Sequence, residues 1–202
     1  MKCEKPAFLC NYFKKKSIFS IFFDLVFVVI IVLLINPGTR TDVAAFFIKL
    51  TSLPPSTLDA DEQFELSDEA KNWKIYDYKL HPISLEELND KPVFLNIWAT
   101  WCPPCIAELP GILDVYQDYK DKVHFVLISN ESPDKVKSFL DKNKYDKHPF
   151  YFYQRLPGDL QTKSIPTTYI IDKAGKVVLE KKGSARWSSG KIRKLLDGLS
   201  DK

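Results

Sequence analysis

Residues 98–110 read WATWCPPCIAELP, and the two cysteines of this stretch are separated by two prolines. The apolar run PVFLNIWA at residues 92–99 leads into the cysteines and predicts a buried strand. A helix is predicted from about Pro103 to Tyr119, because proline lacks an N–H that the first helical turn does not need. The cysteine pair is therefore predicted to lie where a buried strand passes into a helix.

A helix N-terminus is the place where a cysteine is expected to be reactive. Free N–H groups and the positive end of the helix dipole stabilise a thiolate there, and CxxC thiols at such sites have a pKa below the ordinary ~8.5. We therefore expect Cys102 to be the nucleophile and Cys105, one turn inside the helix, to be the resolving thiol. Pro103 and Pro104 stiffen the loop and keep the two sulfurs within bonding distance.

Two other roles for the pair were weighed, a structural disulfide and a zinc site. A bridge across so short a loop removes almost no chain entropy from the unfolded state, so as a staple it contributes little by the loop-entropy account. A structural zinc site needs about four ligands, whereas the chain has no second CxxC and its histidines are scattered at His81, His124 and His148. We expect no metal, and no cofactor other than the redox-active disulfide.

The C-terminal two-thirds of the chain alternate between strand and helix patterns, which favours an α/β fold with parallel pairing. Strands are predicted at about 73–79, 92–99, 123–129, 149–153, 167–171 and 177–181, the last two forming an antiparallel hairpin. Besides the helix after the cysteines, helices are predicted to start at Ser84, at Ser132 with Pro133, and at Ser188. The last of these is expected to dock its leucine-rich face onto the sheet.

An apolar run at residues 18–35, broken only by Asp24, is predicted to be a transmembrane signal anchor. As a helix it would be roughly 27 Å long, just enough to cross a hydrocarbon core. The lysines of the preceding segment place residues 1–17 in the cytoplasm as a basic tail, and the rest of the chain outside. The alternative is a cleaved signal peptide, with the small residues near Ala45 at the cleavage site.

Residues 36–62 are predicted to join this anchor to the main domain, which then covers residues 63–202. A stripe of Val43, Phe46, Phe47 and Leu50 predicts a juxtamembrane helix, and the proline-containing stretch TSLPPSTLDADE at 51–62 predicts a stiff linker. The chain carries a net charge of +3, but residues 1–17 alone carry five lysines and one glutamate. The basic surplus therefore belongs to the tail, and nucleic acid is not an expected partner of the main domain.

The stretch at 98–110 resembles the TlpA/ResA/CcmG group of the thioredoxin superfamily, which are membrane-tethered thiol-disulfide oxidoreductases of the extracytoplasmic space. The likeness extends from about residue 73 to 202 and includes SIPTTYIID at 164–172. It implies a thioredoxin-like fold, with a central mixed β-sheet flanked by helices. It also implies a cis-proline, Pro166, that faces the cysteines and exposes the backbone of Ile165 to an extended substrate.

The same resemblance assigns Glu108 a place near the cysteines, as the candidate proton acceptor for Cys105. A carboxylate buried near a thiol can have a raised pKa and relay a proton, although a solvated first-turn glutamate is the alternative. Asn96 occupies the position where thioredoxins proper carry a buried aspartate, and an asparagine cannot titrate. Trp101 is expected to touch substrate, and Pro103 and Pro104 of the CPPC loop are also predicted to bind it.

The predicted activity is the reduction of protein disulfides on the periplasmic side of a membrane. The expected substrates are exported proteins with cysteines, apocytochrome c among them. The resemblance implies a membrane electron donor of the thiol-reducing type that restores the dithiol. Two alternatives stay open: a disulfide oxidant or isomerase, and a tethered binding or assembly factor without turnover.

Overall fold

The computed structural model describes residues 17–35, 48, 51–145 and 148–201, and the side chains of these residues except those of 33–35. The chain divides into two compact units, Met1–Val43 and Ala44–Lys202. In the first unit, helix α1 spans Ile18–Ile35. Most of its large apolar side chains are exposed, from 38% for Val26 to 86% for Ile18, while Ile21 and Ile30 are partly buried.

The predicted transmembrane span is not confirmed by this helix. Across the ranges that the structure describes, no helix is long and apolar enough to cross a membrane. The stripe predicted at Val43, Phe46, Phe47 and Leu50 lies outside the described residues.

The second unit is built on a mixed sheet, which confirms the predicted thioredoxin-like α/β fold. Its strands within the described residues are β1 (Phe64–Glu65), β2 (Lys74–Tyr76), β3 (Pro82–Ser84), β4 (Val93–Ile97), β5 (His124–Ser129), β6 (Phe150–Phe152), β7 (Thr167–Ile171) and β8 (Lys176–Lys182). They are ordered β1-β8-β7-β4-β5-β6-β2-β3. Strands β4, β5 and β6 are parallel, and all other neighbours are antiparallel.

The helices of this unit are α2 (Asp68–Lys71), α3 (Pro103–Tyr119), α4 (Pro133–Asn143) and α5 (Gly190–Ser200), with 3₁₀ turns at Glu86–Leu88 and Gly158–Leu160. Prolines stand in the first turn of both α3 and α4, as predicted, and α4 is preceded by Ser132 at its N-cap. Two predicted starts are wrong. The N-cap residue of the last helix is Ser189, not Ser188, and Ser84 ends strand β3, so only a 3₁₀ turn follows it.

Strand β4 is buried on both faces, because a separate cluster of apolar side chains packs against each face of the sheet. Phe94 belongs to one core cluster, with buried residues of α3, α4 and α5, including Ile192 and Leu196 of the docked last helix. Leu95 and Ile97 belong to the cluster on the opposite face. This double burial explains the uninterrupted apolar run in the sequence, and it gives the cysteine loop a rigid support.

The segment predicted as a linker lies against the domain. The Leu58 N–H donates to the Val178 carbonyl (3.1 Å), and the Arg186 N–H donates to the Leu53 carbonyl (3.0 Å). The short strand β1, which the sequence did not indicate, then pairs with β8 at the edge of the sheet. The division of the chain at residue 63 stays a prediction.

Candidate active site

The two cysteines form a disulfide at the junction of β4 and α3, with 5.3 Å between their Cα atoms. Cys102 is the N-cap residue of α3, and its Sγ accepts the N–H of Cys105 at 3.2 Å. The prolines between them are the first two residues of the helix, where a missing N–H leaves no hydrogen bond unmade. The structure therefore places Cys102 at the N-terminal end of the helix, where a thiolate is stabilised.

Both cysteines are buried, beside an exposed tryptophan. Cys105 is fully buried and Cys102 is 3% exposed, whereas the neighbouring Trp101 is 60% exposed. Pro103 and Pro104 are partly exposed. An approaching disulfide therefore meets the Cys102 side of the pair first, past a projecting indole. The role of each residue in exchange remains a prediction.

The loop before β7 lies opposite the cysteines, as the resemblance implied. The Ile165–Pro166 peptide bond is cis. The Ile165 carbonyl oxygen is 3.8 Å from the Cys102 Sγ. Ile165 is partly exposed and Pro166 is buried, so the backbone of Ile165 forms the border of the site on this side.

Behind the disulfide, Glu108 is buried inside the domain, not solvated at the start of the helix. Only 4% of the residue is exposed. Its Oε2 accepts hydrogen bonds from the Ala185 N–H (3.0 Å) and the Trp187 indole N–H (2.9 Å), and its Oε1 accepts one from the Asn96 side-chain amide (2.9 Å). Glu108 and Cys105 are three residues apart on α3, so they lie on the same face of the helix.

Burial is the largest influence on the protonation of this carboxyl group. It raises the pKa of Glu108 to about 7, although the hydrogen bonds from Trp187, Ala185 and Asn96 and the charge of Lys181 act in the opposite direction. Near neutral pH the group can therefore both accept and release a proton. Proton transfer to and from Cys105 remains a proposed role.

Asn96 connects this carboxyl group to strand β7. Its amide nitrogen donates to Glu108 and also to the Thr168 hydroxyl at 2.8 Å. Its carbonyl oxygen Oδ1 is buried and, within the described part of the chain, has no hydrogen-bond partner. Because Asn96 is fully buried and neutral, it adds no charge that would oppose ionisation of Glu108.

Sequence reasoning missed two sets of contacts at the site. Ala185 and Trp187 were not singled out, because they are 77 and 79 residues from the carboxylate they hold. Glu131 was also missed: its carboxylate accepts the Thr100 N–H (2.6 Å) and the Thr100 hydroxyl (3.0 Å) in the cysteine loop. Neither set has a local sequence signal, since each joins distant segments.

No group of three or more His, Cys, Asp and Glu side chains is placed to hold a metal ion in the ranges described. The absence of a cofactor beyond the disulfide stays a prediction.

A model of the AhpC/TSA family matches residues 66–180. The chain belongs to the AhpC/TSA family. It is 37% identical over 122 residues to the thiol-disulfide oxidoreductase ResA of Bacillus thuringiensis, covering 58% of this chain and 69% of that protein. A ResA of Halalkalibacterium halodurans is 31% identical over 115 residues, covering 55% and 65%. The resemblance to the ResA group and the prediction of a thiol-disulfide oxidoreductase are thus confirmed.

A solved relative agrees with the fold. The exposed lipoprotein thioredoxin of Streptococcus pneumoniae matches with a TM-score of 0.52 at 22% identity, covering 63% of this chain and 98% of that one. At this identity the likeness supports the architecture of the AhpC/TSA domain alone.

Proposed function

We propose that this oxidoreductase is anchored at a membrane and reduces disulfides of exported proteins outside the cytoplasm. The observation that carries the proposal is the arrangement around the disulfide. Cys102 lies at a helix N-terminus beside the Ile165 carbonyl, and Glu108 is buried on the side of Cys105 with a pKa raised to about 7. One side is built for attack by a sulfur, and the other for transfer of a proton.

The reaction begins with the pair in its dithiol form. The Cys102 thiolate attacks one sulfur of the client disulfide, a mixed disulfide forms, and the other client sulfur leaves as a thiolate. Cys105 then attacks the Cys102 sulfur, which breaks the mixed disulfide, releases the second client thiolate and closes the Cys102–Cys105 bond. Two electrons pass from the enzyme to the client, so the enzyme must be reduced again.

Glu108 acts in the second of these steps. Cys105 must lose its proton to attack, and it is fully buried, so water cannot readily take that proton. An ionised Glu108 on the same face of α3 accepts it. The hydrogen bonds from Ala185 and Trp187 hold the carboxylate ready for this purpose, which is the role of a general base.

The proposed anchor is helix α1, Ile18–Ile35. Most of its large apolar side chains are exposed in the structure. A helix this rich in apolar residues, with Asp24 as its one charge, is typical of burial in lipid or in protein. Lysines precede it at residues 14–16, which favours a cytoplasmic N-terminus and an exported domain. Reporter enzymes fused after residue 62 test this topology. Alkaline phosphatase, which is active outside the cytoplasm, should be active, and β-galactosidase, which is active in the cytoplasm, should be inactive. The opposite result would contradict the proposal.

The direction of electron flow is part of the proposal, because an oxidant or isomerase would use the same pair. A reductase needs a low potential, near the −270 mV of thioredoxin, whereas a strong oxidant such as DsbA has about −120 mV. Equilibration of the full chain with dithiothreitol redox buffers measures this value. A potential at the oxidising end would overturn the reductase assignment and support the alternative.

Trapping tests the function itself. The Cys105→Ser variant should accumulate mixed disulfides between Cys102 and exported proteins, which appear as high-mass bands on non-reducing gels. The Cys102→Ser variant is the matched control and should accumulate none. The proposal fails if neither variant traps a client and the wild-type chain does not reduce insulin. Identification of the trapped clients also shows whether they include cytochromes and therefore whether cytochrome c maturation is the process served.

The same variants separate turnover from a purely binding function. A tethered assembly factor would keep its cellular role after Cys102→Ser, whereas an oxidoreductase would lose it. For the reductase, a membrane electron donor of the thiol-reducing type is the proposed partner, and its absence should leave the pair oxidised in cells.

A further inference from the structure

A groove lies next to the cysteine loop at the same edge of the sheet. The parallel strands β4, β5 and β6 end at Ile97, Ser129 and Phe152, and ligand sites of α/β sheets form beyond such carboxyl ends. The cysteines follow β4, and a cavity of about 340 Å³ follows β5 and β6. We call it the carboxyl-edge groove, and its lining includes Tyr76, Leu80, Glu131, Pro133, Phe152 and Tyr153.

Glu131 joins this groove to the active-site loop. It lines the groove, yet its carboxylate accepts both the N–H and the hydroxyl of Thr100, two residues before Cys102. Its side chain is only 7% exposed. The wall of the groove and the cysteine loop are therefore held together by two partly buried hydrogen bonds, so the groove lies next to the cysteine loop.

Leu80 lines the groove in an unusual backbone conformation. It lies in the turn between β2 and β3 with a φ of +61°, a conformation that costs an L side chain energy and suits glycine or asparagine. It is also 60% exposed. The turn is held by Asp77, whose Oδ1 accepts the N–H groups of Lys79 and His81 at 2.8 Å. Neither burial nor backbone preference explains a leucine there.

The hairpin that carries Leu80 is fixed to the wall of the groove. Tyr76 pairs with Phe152 between β2 and β6, and the Tyr78 ring packs edge-on against Phe152 with 5.2 Å between centroids. An apolar side chain on a supported hairpin at the edge of a cavity can take part in recognition. It lies beside a wall of aromatic rings, which suits another apolar side chain.

We propose that the carboxyl-edge groove binds apolar side chains of the client polypeptide next to its reacting cysteine. This inference rests on the proposed function and adds to it the class of substrate: extended segments in which aromatic or aliphatic residues flank the cysteine. Because Glu131 and Thr100 join the wall of the groove to the cysteine loop, a client bound at Cys102 reaches over Leu80. Binding there raises the rate of attack at Cys102 for these clients and not for small disulfides.

The test uses two synthetic peptides whose single cysteine is a mixed disulfide with thionitrobenzoate. One peptide carries Phe and Leu on both sides of the cysteine, and the other carries Ser at those positions. Attack by Cys102 of the reduced full-length Cys105→Ser chain joins its sulfur to the peptide cysteine and expels thionitrobenzoate, which is measured by absorbance. We expect the apolar peptide to react roughly tenfold faster, since one or two side chains become buried.

Leu80→Asn is the informative variant, because asparagine tolerates the left-handed conformation and leaves the turn intact. It should remove the preference for the apolar peptide. Leu53→Asn is the matched control, since Leu53 is an exposed leucine (75%) outside the groove, and it should keep the preference. With free dithionitrobenzoate, both variants should react like their parent.

Equal rates for the two peptides with the Cys105→Ser chain that carries Leu80 would overturn the inference while the proposed function stands. An equal loss with dithionitrobenzoate in Leu80→Asn would also overturn it, because the effect would then be on the cysteines. A dimer that dissociates in Leu80→Asn, seen by sedimentation together with equal peptide rates, would assign the groove to a second copy of the chain. Failure of reduced Cys102 to react with any disulfide would reject the proposed function as well.

Discussion

The two sides of the Cys102–Cys105 disulfide lie in contrasting surroundings. On the outer side, Trp101 is 60% exposed, and the Ile165 carbonyl borders Cys102. On the inner side, Cys105 is fully buried, and Glu108 is enclosed by donors from Asn96, Ala185 and Trp187. We therefore propose that this short motif separates two tasks: sulfur exchange where the client arrives, and proton transfer where water is excluded.

The largest effect is expected on the outer side. Cys102→Ser should reduce the rate of disulfide reduction by roughly a thousandfold or more, since a hydroxyl does not exchange with disulfides. The rate of insulin reduction measures it. The control is Cys10→Ser, which changes another cysteine outside the motif and should leave the rate unchanged. If Cys102→Ser keeps substantial activity, the attacking sulfur has been assigned to the wrong residue.

On the inner side, the stability of the oxidised protein should depend on pH through Glu108. Its pKa is raised from 4.5 to about 7 on folding, so the folded state binds the proton more tightly than the unfolded state. The contribution of Glu108 to the free energy of unfolding is therefore fully present below pH 4.5 and is lost as the pH rises through 7. The loss from this group amounts to about 3 kcal/mol.

Urea unfolding of wild type and Glu108→Gln between pH 5 and 8 measures this difference. The glutamine variant should lack the pH-dependent component, because its side chain does not ionise. The Asn96 amide can turn its Oδ1 toward the new side-chain amide, so the variant is expected to fold. If the free energy of unfolding changes with pH equally in the two proteins, Glu108 does not titrate in this range.

Exchanging one tryptophan on each side should separate the two tasks. Trp187→Phe removes the indole N–H that Glu108 accepts while keeping an aromatic ring against Phe94. The pKa of Glu108 should rise further by roughly one unit, and stability at pH 8 should fall by about 1–2 kcal/mol. Trp101→Phe, on the outer side, should change neither the pKa of Glu108 nor the stability at pH 8. It should alter only the KM for protein clients. Equal effects of the two variants on the pH curve would remove the distinction.

The smallest effect is expected where Glu131 supports the outer loop. Glu131→Gln keeps an acceptor for the Thr100 N–H but loses the charge that pairs with Lys135 at 2.6 Å. Stability should fall by about 1 kcal/mol, and attack by Cys102 should slow only a few-fold. Thermal unfolding measures the loss of stability, and the thionitrobenzoate assay measures the rate of attack by Cys102. Ser138→Ala, on the exposed face of α4, is the control and should change the attack rate little.

Features that depend on local sequence could be predicted before the structure. The bounds of α3 follow from the CPPC loop and its prolines, and β4 follows from an apolar run buried on both faces. The resemblance, not the residues alone, supplied the cis bond at Pro166. The pairing of β1 with β8 and the contacts of Glu108 with Trp187 escaped prediction, because they join segments that a single sequence does not show to be neighbours.

The errors have local physical reasons. Ser188 and Ser189 are both good capping residues, so the sequence does not choose between them, and the helix begins one residue later than predicted. The position of Glu108 in the sequence is compatible with either a solvated or a buried side chain. Its burial is decided by Trp187 and Ala185, which close over it from the segment before α5.

The pH dependence of client release tests the division between the two sides most directly. Reduced wild type and Glu108→Gln are mixed with a disulfide peptide, quenched in acid at intervals, and the decay of the mixed disulfide is counted by mass spectrometry. In wild type, the release rate should rise with an inflection near pH 7. In Glu108→Gln, release should be at least about tenfold slower and should lack the inflection near pH 7. Identical profiles for the two proteins would contradict the account.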